Sequence, residues 1–437
     1  MLKKIFINLA RATIRKYKPI IIAVAGSRRT AETRNAIFAA LKNKYYVRTA
    51  EPDDAYDAAF GGALAVLGFS HQGRNLAAWF WRIANSFVTT YLIKTSYPDV
   101  LILEYPIDKQ GQMSKIISLA GPTIGVFTDY DEVVGDGNTS NENPVIGFGE
   151  MAALAEALPV NGWAIINQDD YALLNLKQRH RAHPVTFGTE PHADVHIKEY
   201  GIHTTKDRFA GDVPEGMIVS LAYGGETITC RLHGAIGKSH AYAAAGASAT
   251  GLVLNMNLLE ISEALHSYVP PPGRTRLVRG IKDSLIIDAS HDATPDLMRS
   301  NLTSMSQLPA QRKIAVLGDI LGIDRLSEQV HRSIGDLAGE HLNLLIAVGP
   351  RAKFMADEAE TGGEEGEAGR LSPDQVFRLD DAESAGRTLD PLIKPGDLIF
   401  VSGSRHMRLE KAVYEIMAQP ERARELLVRQ GGNGEKD

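Results

Sequence analysis

Near the start of the chain, a strand, a tight turn and a helix pattern follow one another in the order that binds phosphate. An apolar run, Ile20–Ala25, meets Gly26, and a helical pattern begins soon after. The N–H groups of such a loop and of the first helical turn point at one spot and form an anion site. A working phosphate loop adds a second glycine, a lysine and a hydroxyl for magnesium. Here those positions hold Arg29, Thr30 and Ala31, so the backbone indicates ATP chemistry while the side chains argue against it.

The loop supplies most of the candidate nucleotide contacts, which are Gly26, Ser27, Arg28, Arg29 and Thr30. A side chain at position 29 crowds a backbone that must approach phosphate closely. Two interpretations are open for the arginines. Arg28 or Arg29 replaces the charge of the lysine, although a planar guanidinium is a poor copy of an ammonium; alternatively, the two side chains are simply solvated.

Composition limits the class of protein. The chain has 437 residues, which is enough for two or three domains, and it is 44% hydrophobic and 23% charged. The net charge of −6 argues against a nucleic-acid binder, which needs a basic surface. The single cysteine, Cys230, excludes a disulfide framework and fits a cytoplasmic location.

The first 18 residues have the pattern of a basic amphipathic helix. Apolar residues recur at helical spacing and lysines and arginines lie between them. Such a helix lies either on an anionic membrane face or docked on the first domain. A second apolar helix, predicted over Leu76–Ile93, is interrupted by Arg82 and Asn85, which favours a packed or interfacial helix over a transmembrane one.

Apolar strands alternate with helices along most of the chain, which predicts an α/β fold with parallel sheets. The segment Pro270–Gly273 is predicted to be a hinge between two series of alternating strands and helices. We therefore divide the chain into a helix (1–18), a central domain (19–270), a C-terminal domain (271–420) and a tail (421–437). The stretch 361–369 is predicted to be a solvated surface loop. The predicted strands lie at 20–25, 100–103, 123–127, 163–166, 284–288, 313–317, 344–348 and 398–401, with short alternating strands between 185 and 232.

A set of short motifs, in order along the chain, resembles the Mur ligases, and among them the enzymes that join D-alanyl-D-alanine to UDP-N-acetylmuramoyl-tripeptide. The resemblance covers about residues 18–419. Its markers are the Gly26 loop, Leu103-Glu104, Asn167-Gln168-Asp169-Asp170, Pro271-Pro272-Gly273-Arg274, Ile287-Asp288-Ala289-Ser290 with Pro295 and Met298, Val316-Leu317-Gly318-Asp319, and Gly403-Ser404-Arg405 with Met407-Arg408. It implies a P-loop-like central domain and a Rossmann-like C-terminal domain.

The resemblance also implies a reaction and its cofactors. Mur ligases use ATP and Mg²⁺ to activate a carboxylate as an acyl phosphate, which an amine then attacks to form an amide. The protein mainly positions phosphates and neutralises charge. By this resemblance Glu104 is the magnesium ligand, a role that suits a hard oxygen donor. Its alternative is an ordinary carboxylate at a strand end.

Several family positions are altered in the central domain. The carbamylated lysine of the family falls on Met151, which offers neither charge nor oxygen. The segment 128–143 lacks the family's metal-binding histidine and carries only acidic groups, among them Asp129, Asp131, Glu132, Asp136 and Glu142. The polar stretch of the family is largely gone at Tyr56–Gly61. In the adenine-contacting motif, His240 takes the place of the first asparagine and Ala243 of the second.

The C-terminal domain departs less from the family. Arg274 and Asp288 match residues that contact the nucleotide, and Ser404 and Arg405 lie where relatives hold the incoming amine substrate. The family's Tyr-Asn-Ala-Asn-Pro appears as His291–Pro295, and the alternative for Arg405 is a surface residue. About twenty residues precede the first strand, too few for the UDP-sugar-binding domain of the family, so substrate recognition is not carried over.

Two functions therefore compete. One is an ATP-dependent carboxylate–amine ligase of peptidoglycan precursor synthesis with a rearranged site, acting on a nucleotide and a peptide-like substrate. The other is a non-catalytic relative that binds or regulates beside cell-wall enzymes or at a membrane surface. The loss of several phosphate and metal groups together favours impaired catalysis. We expect Met151 to be packed in an apolar core, and the Gly26 loop to keep its turn and an open anion site.

Overall fold

The structure is a computed structural model, and it describes residues 2–50, 58–69, 76–93, 95–105, 107, 110–130, 144–207, 211–291, 293–361 and 370–430. The predicted α/β class is confirmed, with two sheets that are mainly parallel. The segment 131–143, the residues Tyr56 and Asp57, most of the loop 361–369 and the end of the chain from residue 431 lie outside the described part.

The first sheet has nine strands in the order β2-β3-β1-β4-β5-β6-β7-β8-β9. Strands β1 to β7 pair in parallel, and β7, β8 and β9 form an antiparallel meander at one edge. Its strands and helices, in chain order, are α1 (Leu2–Tyr17), β1 (Ile20–Ala25), α2 (Thr30–Leu41), β2 (Val47–Ala50), α3 (Ala58–Leu67), α4 (Leu76–Phe87), β3 (Val100–Glu104), α5 (Gln112–Leu119), β4 (Ile124–Phe127), α6 (Pro144–Ala157), β5 (Trp163–Asn167), α7 (Tyr171–Leu174), β6 (His183–Gly188), β7 (Val195–Asp207), β8 (Gly211–Tyr223), β9 (Glu226–His233), α8 (Lys238–Val253) and α9 (Leu258–Leu265). A π-helix, Val88–Leu92, continues α4.

The second sheet has six strands in the order β10-β11-β15-β12-β13-β14, and only the edge strand β10 among these is antiparallel to its neighbour. Its elements are β10 (Arg276–Arg279), β11 (Leu285–Ala289), α10 (Pro295–Ser306), β12 (Arg312–Gly318), α11 (Ser327–His341), β13 (Leu344–Val348), α12 (Lys353–Thr361), β14 (Val376–Leu379), α13 (Ala382–Leu389), β15 (Asp397–Ser402), α14 (Glu410–Ile416) and α15 (Ala423–Leu426).

Both faces of the first sheet are covered, which explains why β1 is apolar at every position. Alternate residues of β1 enter different cores: Ile22 and Val24 pack with α2 and α8, while Ile21 and Ala23 pack with α1, α3 and α6. Because α2 and α8 sit close together on the first face, α8 is rich in alanine. This packing holds the start of α2, and therefore the Gly26 loop, in a fixed position at the carboxyl edge of the sheet.

The N-terminal helix is docked on the first domain. Part of its apolar face is covered, since Phe6 is fully buried and makes edge-to-face contacts with the rings of Phe60 and Trp79, while Leu2 and Ile5 are exposed. In the part of the chain that is described, no helix has the length and apolar character needed to cross a bilayer.

The residues just before position 431 differ from the prediction of a tail that starts at 421. They form α15, and Leu426 and Leu427 are buried against the second sheet. Arg429 donates to the Ser290 carbonyl at 2.8 Å and pairs with Glu410 at 2.5 Å, which fixes this end of the described chain.

Candidate functional site

The Gly26 loop lies between β1 and α2, so the predicted strand–loop–helix turn is confirmed. A neighbouring strand, β4, ends at Phe127, and the residues that follow it beside the loop are Thr128 and Asp129. A Cβ on Gly26 would lie 1.9 Å from the Thr128 Oγ1, so glycine is required by close approach. The backbone N–H of Ser27 donates to the Asp129 carbonyl at 3.0 Å, which ties the loop to the strand end.

The anion position of this loop is taken by a carboxylate of the chain itself. The N–H groups of Arg28 and Arg29 each donate to the Asp129 Oδ1 at 3.3 Å. The Thr128 hydroxyl donates to the same oxygen at 2.7 Å. The expectation of an open anion site is therefore wrong, because Asp129 supplies the negative charge that a phosphate would bring to the helix N-terminus.

Glu104 ends β3, next to β1, and its carboxylate is engaged on both oxygens. Arg34 Nη1 donates to Oε1 at 2.6 Å and the Thr30 hydroxyl donates to Oε2 at 3.0 Å. The side chains of Arg34 and Glu104 are 4% and 9% exposed, so this is a buried ion pair. A guanidinium thus contacts the carboxylate that the resemblance assigns to magnesium, and the metal-binding role of Glu104 stays a prediction. Within the described residues, no three His, Cys, Asp or Glu side chains are grouped as a metal site needs.

The packing expected for Met151 is confirmed. Met151 lies in α6, is fully buried and belongs to the apolar core under the sheet. The carboxylate of its neighbour Glu150 accepts hydrogen bonds from the N–H groups of Gly111 and Met113 at 2.8 and 2.7 Å. These bonds satisfy free donors at the start of α5.

The two arginines of the loop are held by partners rather than simply solvated. The Arg29 guanidinium lies 4.8 Å from the centroid of the Tyr242 ring, a cation–π distance. The Tyr242 hydroxyl in turn donates to Asp169. Arg28 donates to the Thr294 hydroxyl at 3.2 Å, which connects the loop to the second sheet.

Asp169, which belongs to the Asn-Gln-Asp-Asp marker after β5, is a hydrogen-bond acceptor for several groups. Burial raises the pKa of Asp169, but hydrogen bonds from Tyr242 and from the Thr189 backbone and side chain outweigh burial, so the pKa lies below its usual value. The carboxylate therefore stays ionised and anchors the tyrosine on which Arg29 stacks.

His240 is buried in internal contacts instead of facing a nucleotide. Its Nδ1 lies 2.8 Å from the Tyr268 hydroxyl and its Nε2 lies 2.9 Å from the Arg274 carbonyl. Because a carbonyl only accepts, Nε2 carries the proton and Nδ1 accepts from tyrosine. Burial lowers the pKa of His240, so the neutral ring joins α8 to the hinge. Both nitrogens are used within the protein, and the nucleotide contact assigned to His240 stays a prediction.

Asp288 also has a structural role. It is fully buried, and its two oxygens accept the N–H groups of Ser290 and Gly273 at 3.0 and 3.1 Å. Burial raises its pKa. Gly273 has a φ of +69°, so the carboxylate fixes a left-handed turn of the hinge.

Arg274 links this hinge to the loop by donating to the Arg28 carbonyl at 3.0 Å. The charge of Arg274 is the main reason that the pKa of His291 falls to about 2, with burial and the charges of Arg429 and Arg405 adding to it. His291 is therefore neutral, and the charged groups that act on it are the arginines at positions 274, 405 and 429.

The two predicted substrate residues follow β15. Ser404 is buried, and its hydroxyl accepts the Leu321 N–H at 2.8 Å, so it holds a turn. Arg405 is exposed and begins a 3₁₀ turn, Arg405–Met407. The structure thus brings together the loop, Glu104 and Arg274. Ser404 and Arg405 follow β15 of the second sheet.

Sequence reasoning missed Arg34 and gave Asp129 no specific partner. Arg34 lies four residues after Thr30 and therefore on the same face of α2, where Glu104 of the neighbouring strand meets both. Asp129 follows β4, the strand on the other side of β1. In a parallel sheet the carboxyl ends of neighbouring strands meet at one edge, and that rule could have found both residues. Asp131, Glu132, Asp136 and Glu142 lie outside the described residues.

Known proteins resemble this chain over both sheets. Residues 273–405 match the model of the Mur ligase, glutamate ligase domain. The UDP-N-acetylmuramoyl-tripeptide–D-alanyl-D-alanine ligase of Bacillus subtilis is 21% identical over 94% of this chain and 79% of its own length. The ligase of that name in Mycobacterium bovis is 27% identical over 72% of this chain, which spans 62% of that relative's length.

Solved structures show the same fold. The MurF ligase of Thermotoga maritima, solved in complex with ADP, is similar with a TM-score of 0.68, at 17% identity over 94% of this chain and 83% of its own. The UDP-N-acetylmuramoylalanyl-D-glutamyl-2,6-diaminopimelate–D-alanyl-D-alanyl ligase of Acinetobacter baumannii gives a TM-score of 0.71 at 17% identity, over 94% of this chain and 78% of its own. The chain is thus a relative of the Mur ligases, and among them it resembles the UDP-N-acetylmuramoyl-tripeptide–D-alanyl-D-alanine ligases.

Proposed function

We propose that this protein is a Mur-ligase relative in which ATP-driven amide formation is impaired or lost, and which uses the fold for binding or regulation beside cell-wall enzymes. The observation that carries the proposal is Asp129, whose carboxylate accepts the loop N–H groups of Arg28 and Arg29. A phosphate would have to displace this carboxylate and then lie against its negative charge. Such a site binds Mg²⁺–ATP weakly or not at all.

The ion pair of Arg34 and Glu104 supports the same proposal, because it occupies the carboxylate that would bind the metal ion. Ligases of this type need preorganised positive charge around the transferred phosphoryl group, and a metal ion is the strongest local source of it. Here the expected metal ligand already neutralises a buried guanidinium. With Thr30 at the lysine position, the loop lacks both cations on which the family's chemistry depends.

Calorimetric titration of the full chain with ATP, with and without magnesium, tests this function. We expect no binding tighter than millimolar. Asp129→Asn should raise the affinity for inorganic phosphate or ADP severalfold, because the competing charge is gone. Asp381→Asn is a matched control, since Asp381 likewise accepts an N–H at a helix start, that of Ser384 at 2.8 Å, but in the other sheet. Submicromolar, magnesium-dependent binding of ATP by the unaltered protein would overturn the proposal.

The second candidate is an ATP-dependent carboxylate–amine ligase with a rearranged site. It is favoured by the positive charge close to the loop, where Arg28 and Arg29 lie in the turn and Arg274 contacts its backbone. The names of the relatives would make the substrates a nucleotide-linked peptide and a dipeptide amine. Phosphate release that needs magnesium and the amine, and that disappears in Glu104→Ala, would establish this function instead.

A further inference from the structure

A continuous apolar surface runs along α4 and the π-helix that continues it. We call it the aromatic ridge, and it consists of Phe80, Trp81, Phe87, Tyr91, Leu92 and Ile93. These side chains are strongly exposed, with Phe80 at 78% and Leu92 at 68%. Exposed apolar residues are ordinary one at a time, but a run of large ones on one helical segment marks an interaction surface.

The ridge is exposed because the opposite side of this segment packs on α1. At one end the rings of Phe6 and Trp79 meet with centroids 5.5 Å apart, and at the other the Lys16 ammonium donates to the Ile93 carbonyl at 2.6 Å. The two helical segments therefore run side by side in the same direction. Arg82 is buried with its guanidinium 5.1 Å from the Trp79 ring, so the one charged residue between 79 and 93 does not interrupt the ridge.

The helix beside the ridge is cationic and carries no acid. Leu2–Tyr17 contains Lys3, Lys4, Arg11, Arg15 and Lys16 and neither aspartate nor glutamate. Arg11 is held by Ser118 of α5, whereas Lys4 and Arg15 are exposed. The segment from 79 to 93 also lacks acidic residues. An apolar strip next to an acid-free cationic helix is complementary in charge to a surface of anionic groups lying over hydrocarbon.

We propose that the aromatic ridge and the cations of α1 together bind the surface of an anionic lipid bilayer. Tryptophan and tyrosine prefer the boundary between headgroups and acyl chains, and lysine and arginine are attracted to anionic headgroups. The division of labour differs from the sequence expectation. Phe6 and Leu9 of α1 are buried in packing, so α1 mainly supplies charge and the aromatic ridge supplies the apolar side chains that insert.

Cosedimentation of the full chain with vesicles tests the proposal. The vesicles are pure phosphatidylcholine or phosphatidylcholine with one third phosphatidylglycerol. We expect binding at least tenfold stronger to the anionic vesicles. Phe80→Asp with Trp81→Asp should reduce that binding at least tenfold, and Phe87→Ser should do so by a smaller factor. Leu259→Asp is the matched control, because Leu259 is 64% exposed on α9 and the change adds the same kind of charge without touching the ridge.

Charge and depth are measured separately. Lys4→Glu with Arg15→Glu should remove the preference for anionic vesicles while circular dichroism stays that of the unaltered protein. Trp81 fluorescence should shift to shorter wavelength on anionic vesicles, and Trp81→Phe should abolish the shift. Equal binding to both vesicle types, or none to either, would overturn the proposal. So would a dimer in sedimentation velocity that Phe80→Asp disperses, since the ridge would then bind a second copy of the chain.

Discussion

Removing the Glu104 carboxylate should destabilise the protein, because the buried Arg34 guanidinium loses the carboxylate that it contacts at 2.6 Å. The pair is 2.6 Å long, and the arginine side chain is 4% exposed. Breaking a buried ion pair from one side costs about 3–5 kcal/mol. Arg34 keeps two bonds to the Asn35 side chain, at 3.2 and 3.0 Å, which places the cost near the lower end of that range.

Removing the Glu104 carboxylate would have the opposite effect on stability if Glu104 were a metal ligand without its ion. A lone carboxylate in a metal site is destabilising, so Glu104→Ala would leave stability unchanged or raise it, and magnesium would stabilise only the unaltered protein. We therefore expect Glu104→Ala to lower the free energy of unfolding by about 3 kcal/mol, and we expect magnesium to leave the transition unchanged.

Urea unfolding followed by tryptophan fluorescence measures this change in the relevant part of the chain, since Trp79, Trp81 and Trp163 all belong to the first sheet and its helices. Arg34→Met combined with Glu104→Leu should recover most of the loss, because an apolar pair of similar volume avoids the buried charge.

The matched control is Glu156→Ala in the same half of the molecule. Glu156 pairs with Arg179 at 3.6 Å, and both side chains are more than half exposed, so its loss should change stability by less than about 0.5 kcal/mol. A Glu104→Ala variant as stable as this control would refute the reasoning, and so would a magnesium-dependent rise in stability that the variant loses.

Three further predictions concern the loop, the interface and the altered family positions. Gly26→Ala should destabilise the protein by about 1–3 kcal/mol, because its Cβ meets the Thr128 hydroxyl, and Thr128→Ala should recover part of that in urea unfolding. The contribution of His291 should lower the free energy of unfolding by at most about 2 kcal/mol between pH 7 and pH 5. The pKa of His291 is about 2 in the folded protein and 6.5 ordinarily, so the unfolded chain binds the proton first. Stability is therefore lost as the pH falls below 6.5. Calorimetric unfolding at the two pH values, with His291→Gln as the comparison, checks the sign; equal losses in both proteins would exclude this residue as the cause. Thr30→Lys with Met151→Lys should not restore phosphate release in a coupled assay, and release above that of the unaltered protein would contradict this.

The elements that the sequence predicted correctly are those with long apolar runs or a clear helical period. Strands such as Ile20–Ala25 and Leu344–Val348 have the bounds that their apolar residues indicate. The strands that were missed, Val47–Ala50, Arg276–Arg279 and Val376–Leu379, have four residues each and lie at sheet edges. An edge strand is paired on one side only, so its composition is mixed. Four residues are also too few to show the alternation of a strand clearly.

The site divides in the same way between local and long-range information. The replacements at Thr30 and Met151 are visible in the sequence, because they are identities at fixed positions of a motif. The contacts of Asp129 and Arg34 depend instead on strand order, since β1 lies between β3 and β4. Strand order is set by packing across the whole sheet, which local propensity does not contain. The family resemblance predicts a nucleotide contact for His240, whereas its burial and its hydrogen bonds to the hinge are visible only in the structure.

The substitutions in the loop act as a set. If the lysine and the magnesium were lost alone, Glu104 would be an uncompensated carboxylate and the loop N–H groups would lack an acceptor. Here Arg34 supplies the missing positive charge to Glu104, and Asp129 supplies the missing negative charge to the loop. Under the proposed function, the charges that a ligase obtains from its bound nucleotide and metal are thus provided by side chains of this chain. Lysine at position 30 would add a further cation beside Glu104, which Arg34 already neutralises. Under the proposed function, tight ATP binding would therefore require the lysine and metal ligands of the family as well as removal of Asp129 and Arg34.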